Sequence, residues 1–266
     1  MNTGYFWQVK ECDQRTRGKK FTSGFPLFPD APFISDLLGF FNEDLNPEYD
    51  ESIESCNQNG LSDLGNYLVN RLIDKKMLIE IDHTSVDAYT SIMNIVEARN
   101  YSGVVSSHGW EAKAKDGGLH ENTVRLIRQG GYISPYSNNA NVIRGRIQAI
   151  VNEIDQTAFF PGVGVSTDMG GLGGQVSPRS DSQSNPLTYP FVNEFGFVTE
   201  RQVSGTRTFD FNKDGVAHYG LLADFIQDLR EQLSPELYDT VMNSAEAYLQ
   251  MWERSTANTS FGHVYD

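Results

Sequence analysis

Between residues 61 and 168 the chain repeats one rhythm: an amphipathic stretch of helix length, then a short apolar run that ends in polar residues. Residues 62–76 carry Leu64, Leu68, Leu72 and Ile73 at helical spacing, and MLIEIDHTS (77–85) follows at once. Residues 85–99 place Val86, Tyr89, Ile92, Ile95 and Val96 on one side and lead into SGVVSSH (102–108). A short helix at 120–129, broken by Gly130 and Gly131, leads into YISP (132–135). Residues 141–155, with Val142, Ile143, Ile147, Ile150 and Val151, lead into GVGVSTDMGG (162–171). Apolar runs this short suit buried strands and cannot make helices. Strand ends therefore recur about every 25 to 35 residues, the spacing of βα units in a parallel sheet. Ser62 and Ser85 stand where N-caps belong, and Lys75 and Lys76 suit a helix C-terminus.

In parallel α/β folds, ligands bind at the carboxyl ends of the strands. Three of the runs end there in a side chain able to bind metal: His83, His108 and Asp168. Imidazole nitrogen with carboxylate oxygen is the donor set of a divalent ion, zinc above all. A single histidine in such a place reads better as a satisfied buried imidazole. Three in step favour a metal site. They also favour a (β/α)8 barrel over an open sheet, because barrel catalytic groups come from several strands.

Composition removes other classes of function. A net charge of −14 argues against nucleic acid, whose phosphates require basic patches, and against an anionic membrane surface. No apolar run approaches the ~20 residues of a membrane span, and MNTGYFWQVK lacks signal-peptide architecture. Cys12 and Cys56, the only cysteines, could pair, and without a close-spaced Cys motif there is no zinc ribbon. Few lysines and many Asn, Ser, Thr and Tyr residues lean toward a secreted or periplasmic protein.

The flanks are less regular. Residues 1–60 form an irregular N-terminal segment, with strand propensity at 5–9, prolines at 26, 29, 32 and 47, a helical piece near 34–41 and a solvated acidic run at 42–54. Residues 61–254 are the βα-repeat portion, and 255–266 a polar tail. The Gly/Ser/Pro/Asn-rich stretch 170–197 is the kind of loop that covers a site. Two helices, 219–231 and 236–252, close the chain, the second opened by Pro235. DFNKDG (210–215) begins like a calcium loop, but Leu221 stands where a bidentate glutamate is needed, so an ordinary turn is expected. Neither a dinucleotide fingerprint nor a G-x-S-x-G elbow is present.

Gly60-Leu61-Ser62, MLIEIDHTS, VVSSHGW, VGVSTDMGG and DGVAHYGLLADFIQDLR, in this order, resemble the membrane (renal) dipeptidase-like branch of the amidohydrolase superfamily, over about residues 60–250. The resemblance implies an α/β protein, a partial (β/α)8 TIM barrel with two C-terminal helices. It implies a metal-dependent hydrolase acting on an amide or related bond of a small-molecule or peptide-like substrate. His83 would be the metal ligand from strand five and His108 that from strand six. Asp168, from strand eight, would bind metal and take the proton of the attacking water.

Three features depart from the family pattern. Its first-strand His-x-Asp pair has no counterpart, and its bridging acid has only Glu11 as a weak candidate. His120-Glu121-Asn122 stands where dipeptidases have a substrate-binding arginine. At ~250 residues per barrel, the chain is expected to be the C-terminal half to two-thirds of one, as a fragment or a natural truncation. Its partner would be the missing N-terminal barrel half or another copy in a homo-oligomer. His120, Arg179 and His218 are candidates for substrate contact. The alternative to an enzyme is a truncated, catalytically inactive barrel remnant serving as a binding or structural module.

Overall fold

The structure, a computed structural model, describes residues 9–11, 55–57, 59–109, 118–136, 139–170 and 175–257. The helical piece expected at 34–41, the acidic run 42–54, Cys12 and the tail from 258 lie outside the described residues, as does the strand expected at 5–9 except for Val9.

Three helices turn back into three strands through the same hydrogen-bonded turn. Helix α1 (Asp63–Asp74) starts at Ser62, whose Oγ accepts the Gly65 N–H at 3.1 Å. It ends with Lys76 in the left-handed region at φ 58°. There the Lys76 N–H donates to the Ile73 carbonyl and the Met77 N–H to that of Leu72, a Schellman turn. Strand β3 (Ile79–Glu80) follows. Helix α2 (Val86–Ala98) repeats the pattern, with Ser85 as N-cap and Asn100 at φ 46°, and delivers β4 (Val104–Ser106). Helix α3 (Glu121–Arg128) does so again with Gly130 at φ 76°, and delivers β5 (Tyr132–Ile133). Helix α4 (Ala140–Glu153), capped by Asn139, leads toward a fourth extended segment.

Strands β3, β4 and β5 form a parallel sheet in that order, with Ile79 opposite Val104 and Val105 opposite Tyr132. Residues 162–166, expected as a strand, run beside β5 without a full ladder. The Gly164 N–H donates to the Ile133 carbonyl at 3.0 Å, and Tyr136 and Ser166 form a parallel bridge. The apolar stripes read from the sequence become the core. Ile79, Ile81, Val104, Ile133 and Val163 pack with Ile92, Met93 and Val96 of α2, Leu126 of α3 and Ile143, Ile147 and Ile150 of α4. Each such side chain contributes ~1.5–3 kcal/mol by leaving water. The protein is therefore α/β. Its sheets are small and open, and the described residues close no barrel.

Several elements differ from the sequence reading. Strand β1 (Val9–Glu11) pairs antiparallel with β2 (Ser55–Asn57), outside the parallel sheet. The stretch expected as one loop contains, among its described residues, strand β6 (Phe191–Val192), which forms a hairpin with β7 (Val198–Thr199) just beyond it. A second hairpin, β8 (Val203–Ser204) with β9 (Arg207–Thr208), follows it. Gly196 (φ 81°) and Gly205 (φ 59°) make their turns. DFNKDG folds as the single turn α5 (Phe211–Asp214), capped by Asp210. Helix α6 (Leu222–Gln232) comes next. The helix expected at 236–252 is two, α7 (Pro235–Met242) and α8 (Ser244–Thr256). A continuous helix would need the Thr240 carbonyl for its own ladder. Here that carbonyl accepts the Val163 N–H at 3.1 Å, so the break accommodates the 162–166 segment.

Candidate functional site at the strand tips

The carboxyl ends of β3, β4 and the 162–166 segment lie on one edge of the parallel sheet, because all run in the same direction. His83 leaves the tip of β3 and His108 the tip of β4. Their Nε2 atoms are 2.8 Å apart and their ring centroids 4.8 Å apart. His83 is exposed, whereas the His108 side chain is 17 % exposed.

Four non-glycine residues adopt positive φ among those described: Lys76, His83, Asn100 and Asp168. Lys76 and Asn100 close helix C-termini, where that conformation is routine. His83 (φ 63°) and Asp168 (φ 49°) close strands instead, a costly conformation that clusters at functional positions. After His83 the chain turns at once, with Thr84 Oγ1 donating to the Ile81 carbonyl at 2.7 Å. Two of the three residues singled out as ligands thus share an unusual backbone conformation.

Carboxylates that the sequence reading passed over tie the first two tips together. Asp82, its side chain 1 % exposed, accepts the Ser106 Oγ–H on Oδ1 at 2.8 Å and the His108 N–H on Oδ2 at 2.8 Å. The same Oδ2 lies 2.9 Å from His108 Nδ1. Glu80 Oε1 accepts the Asp82 N–H at 3.0 Å and the Ser107 N–H at 3.4 Å. The acid immediately before His83 in IDHTS was the available signal. It escaped notice because a residue preceding a ligand normally faces the other side of a strand.

Asp168 stands on the same edge, but β5 lies between it and β4. Two ladder spacings put those tips roughly 10 Å apart. Among the described residues no three His, Cys, Asp or Glu side chains come together closely enough to hold one ion. The structure thus brings His83 and His108 into contact and leaves Asp168 apart from them. Two imidazole nitrogens bound at ~2.05 Å to one tetrahedral zinc would lie about 3.3 Å from each other. A small opening of the 2.8 Å pair therefore fits it as half of a donor set.

The substrate candidates have other partners. Arg179 is 3 % exposed, and its guanidinium is held inside the protein. Nε donates to Asp228 and Nη2 to Glu231, each at 2.6 Å, and Nη1 to the Asn185 carbonyl at 2.8 Å. Those contacts tie the 179–185 segment to α6. His120 is the N-cap of α3; its Nδ1 accepts the Asn122 N–H at 3.1 Å. It also lines a cavity of about 230 Å³ with Cys56, Asp87 and Asn122. Cys56 is disulfide-bonded. His218 caps a 3₁₀ turn at Tyr219–Leu221 through Nδ1, its ring edge-on to Phe209 at 4.6 Å, while its buried Nε2 has no hydrogen-bond partner among the described residues. Tyr219, beside it, donates from its hydroxyl to the Met169 carbonyl at 3.1 Å, next to Asp168. Glu11, the candidate bridging acid, sits exposed on β1.

A second buried acid is Asp224 on α6, which accepts the Tyr189 hydroxyl on Oδ1; its Oδ2 has no hydrogen-bond partner among the described residues. Burial pushes the Asp224 carboxyl above its ordinary pKa and also raises that of the Tyr189 phenol. No family model matches the chain, and no curated protein matches it. The site is therefore read from its own geometry.

Proposed function

We propose that the protein is a metal-dependent hydrolase and that its parallel sheet is part of a (β/α)8 barrel, the C-terminal half to two-thirds. The observation that carries this reading is the meeting of His83 and His108 at adjacent strand tips, Nε2 to Nε2. His83 and His108 would hold a divalent ion, zinc-class by its imidazole donors. Such an ion, when bound, polarises a scissile carbonyl and lowers the pKa of water to ~7. Asp168, exposed on the same edge but two ladder spacings from the pair, is the acid this reading assigns to take a proton from the attacking water. The substrate would be a small molecule or peptide-like. The disulfide at Cys56 agrees with an exported protein, since such bonds are rare in the cytosol. No described helix is long and apolar enough to cross a membrane.

Zinc titration of the whole chain, followed by a hydrolysis assay with a panel of peptide and amide substrates, tests the proposal. Stoichiometric zinc uptake that disappears in His108→Ala is the expected result. No uptake would remove the reading. A second reading is favoured by the two-residue donor set: a barrel remnant that no longer catalyses and serves as a binding or structural module. It expects no zinc-dependent turnover at any zinc concentration. It also expects the edge of β3 that no described strand covers to be paired, by an N-terminal barrel half or in a homo-oligomer, because open strand edges invite pairing.

A further inference from the structure

The geometry points to Asp82 as the positioning residue that fixes His108 as its Nδ1–H tautomer, leaving the Nε2 lone pair to face His83. This rests on the metal-site reading for its purpose, though not for its geometry. Asp82 is buried, and a buried carboxylate is tolerated where donors satisfy it. Its oxygens face the Ser106 hydroxyl on Oδ1, and the His108 backbone N–H and Nδ1 on Oδ2. An ionised carboxylate only accepts hydrogen bonds. At 2.9 Å, the Nδ1 contact is therefore made by an Nδ1–H. Ser107 Oγ, 3.2 Å from the same nitrogen, lies beside that proton.

A neutral imidazole carries one proton, so Nδ1–H leaves Nε2 as the acceptor. His83 Nε2 lies 2.8 Å away, at the position that a shared ion would enlarge. The backbone bond to Asp82 also orients the ring, because the same carboxylate oxygen grips both the main chain and the imidazole of His108. Glu80 holds Asp82 in turn through the Asp82 N–H. Carboxylates that orient a metal-binding imidazole in this way typically change metal affinity ~10- to 100-fold when removed.

Long-range proton–nitrogen NMR on the full chain without metal, at about pH 8 where imidazole is ordinarily neutral, reads the tautomer directly. The expected result is an Nδ1–H pattern for His108. In Asp82→Ala the acceptor facing Nδ1 is gone, so the Nδ1–H form of His108 should lose its dominance. Zinc affinity should then fall ~10- to 100-fold. Ser106→Ala, which removes only the Oδ1 contact, should keep the Nδ1–H form. An Nε2–H pattern in the unsubstituted protein would overturn the inference even if Asp82→Ala does not fold. An unchanged tautomer, or equal zinc affinity in Asp82→Ala, would overturn it as well. If the unsubstituted chain takes up no zinc, the metal-site reading fails while the NMR result still decides the role of Asp82.

Discussion

His83 Nε2 lies 2.8 Å from His108 Nε2, although 25 residues separate the two in the chain. The contact follows from the ladder: Glu80 pairs with Val105, so the tips of β3 and β4 end abreast. Each histidine leaves its strand within three residues of that pair.

If the pair is a metal site, losing either imidazole should abolish tight zinc binding. His83→Asn is the sharper variant. Asparagine tolerates the left-handed backbone of position 83 better than most residues, so the fold should survive. Isothermal titration should show zinc affinity reduced by ~100-fold or more in His83→Asn and in His108→Ala, beyond the effect of a supporting residue. Circular dichroism should show an unchanged melting temperature for His83→Asn. Unaltered zinc binding in both variants would sink the site.

Arg179 and Asp228 form a buried ion pair with side chains 1 % and 2 % exposed. Removing one partner strands the other charge. Arg179→Ala should therefore lower stability by ~3–5 kcal/mol in urea denaturation. Zinc affinity of the folded fraction should stay the same. A loss below ~1 kcal/mol, the scale of an exposed pair, would mean that the guanidinium is not holding the 179–185 segment to α6.

Asp224 should impose a pH dependence of opposite sign to that of an ion-paired acid. Burial raises its carboxyl pKa in the folded protein, so the native state keeps a proton that the unfolded chain releases. Its contribution is fully present below the unfolded value of ~3.9 and is lost as pH rises through the higher folded value. Asp224→Asn keeps an acceptor for the Tyr189 hydroxyl and removes the titration. The stability of the unsubstituted protein relative to this variant should decline as pH is raised from about 4 toward neutral. Urea titrations across that range check it; a constant or rising difference counts against it.

Gly162 is where the segment carrying Asp168 crosses the α7–α8 junction. A Cβ there would lie 2.5 Å from Ala247 Cβ and 2.6 Å from the Asn243 carbonyl oxygen, neither of which can swing away. Gly162→Ala should cost ~1–3 kcal/mol as overpacking, read by chemical denaturation. A neutral effect would mean that the two helices are free to separate from the segment.

The βα rhythm was legible because it rests on local physics. Leu72 and Ile73 in one stretch, or Ile143, Ile147 and Ile150 in another, mark a face at 3.6-residue spacing. Ser62 and Ser85 announce helix starts through their own hydroxyls. The hairpins around Gly196 and Gly205 were not legible, because their two-residue strands are too short to carry apolar alternation. The break between α7 and α8 was hidden too. Its cause is a hydrogen bond from Val163, far along the chain, to a carbonyl that the helix would otherwise use.

At the site the division is equally physical. The sequence alone determined that His83, His108 and Asp168 end their segments on one edge, because strand direction and segment length are local properties. Only the tertiary structure decided which of them meet. Strand order placed β4 against β3 and set β5 between it and the Asp168 segment. Contact between residues 25 apart depends on the order of strands across the sheet, which no local pattern encodes. The role of Asp82 was decided in the same way. Its carboxyl turns inward to a neighbouring strand's hydroxyl and main chain, partners that exist only after the sheet has formed.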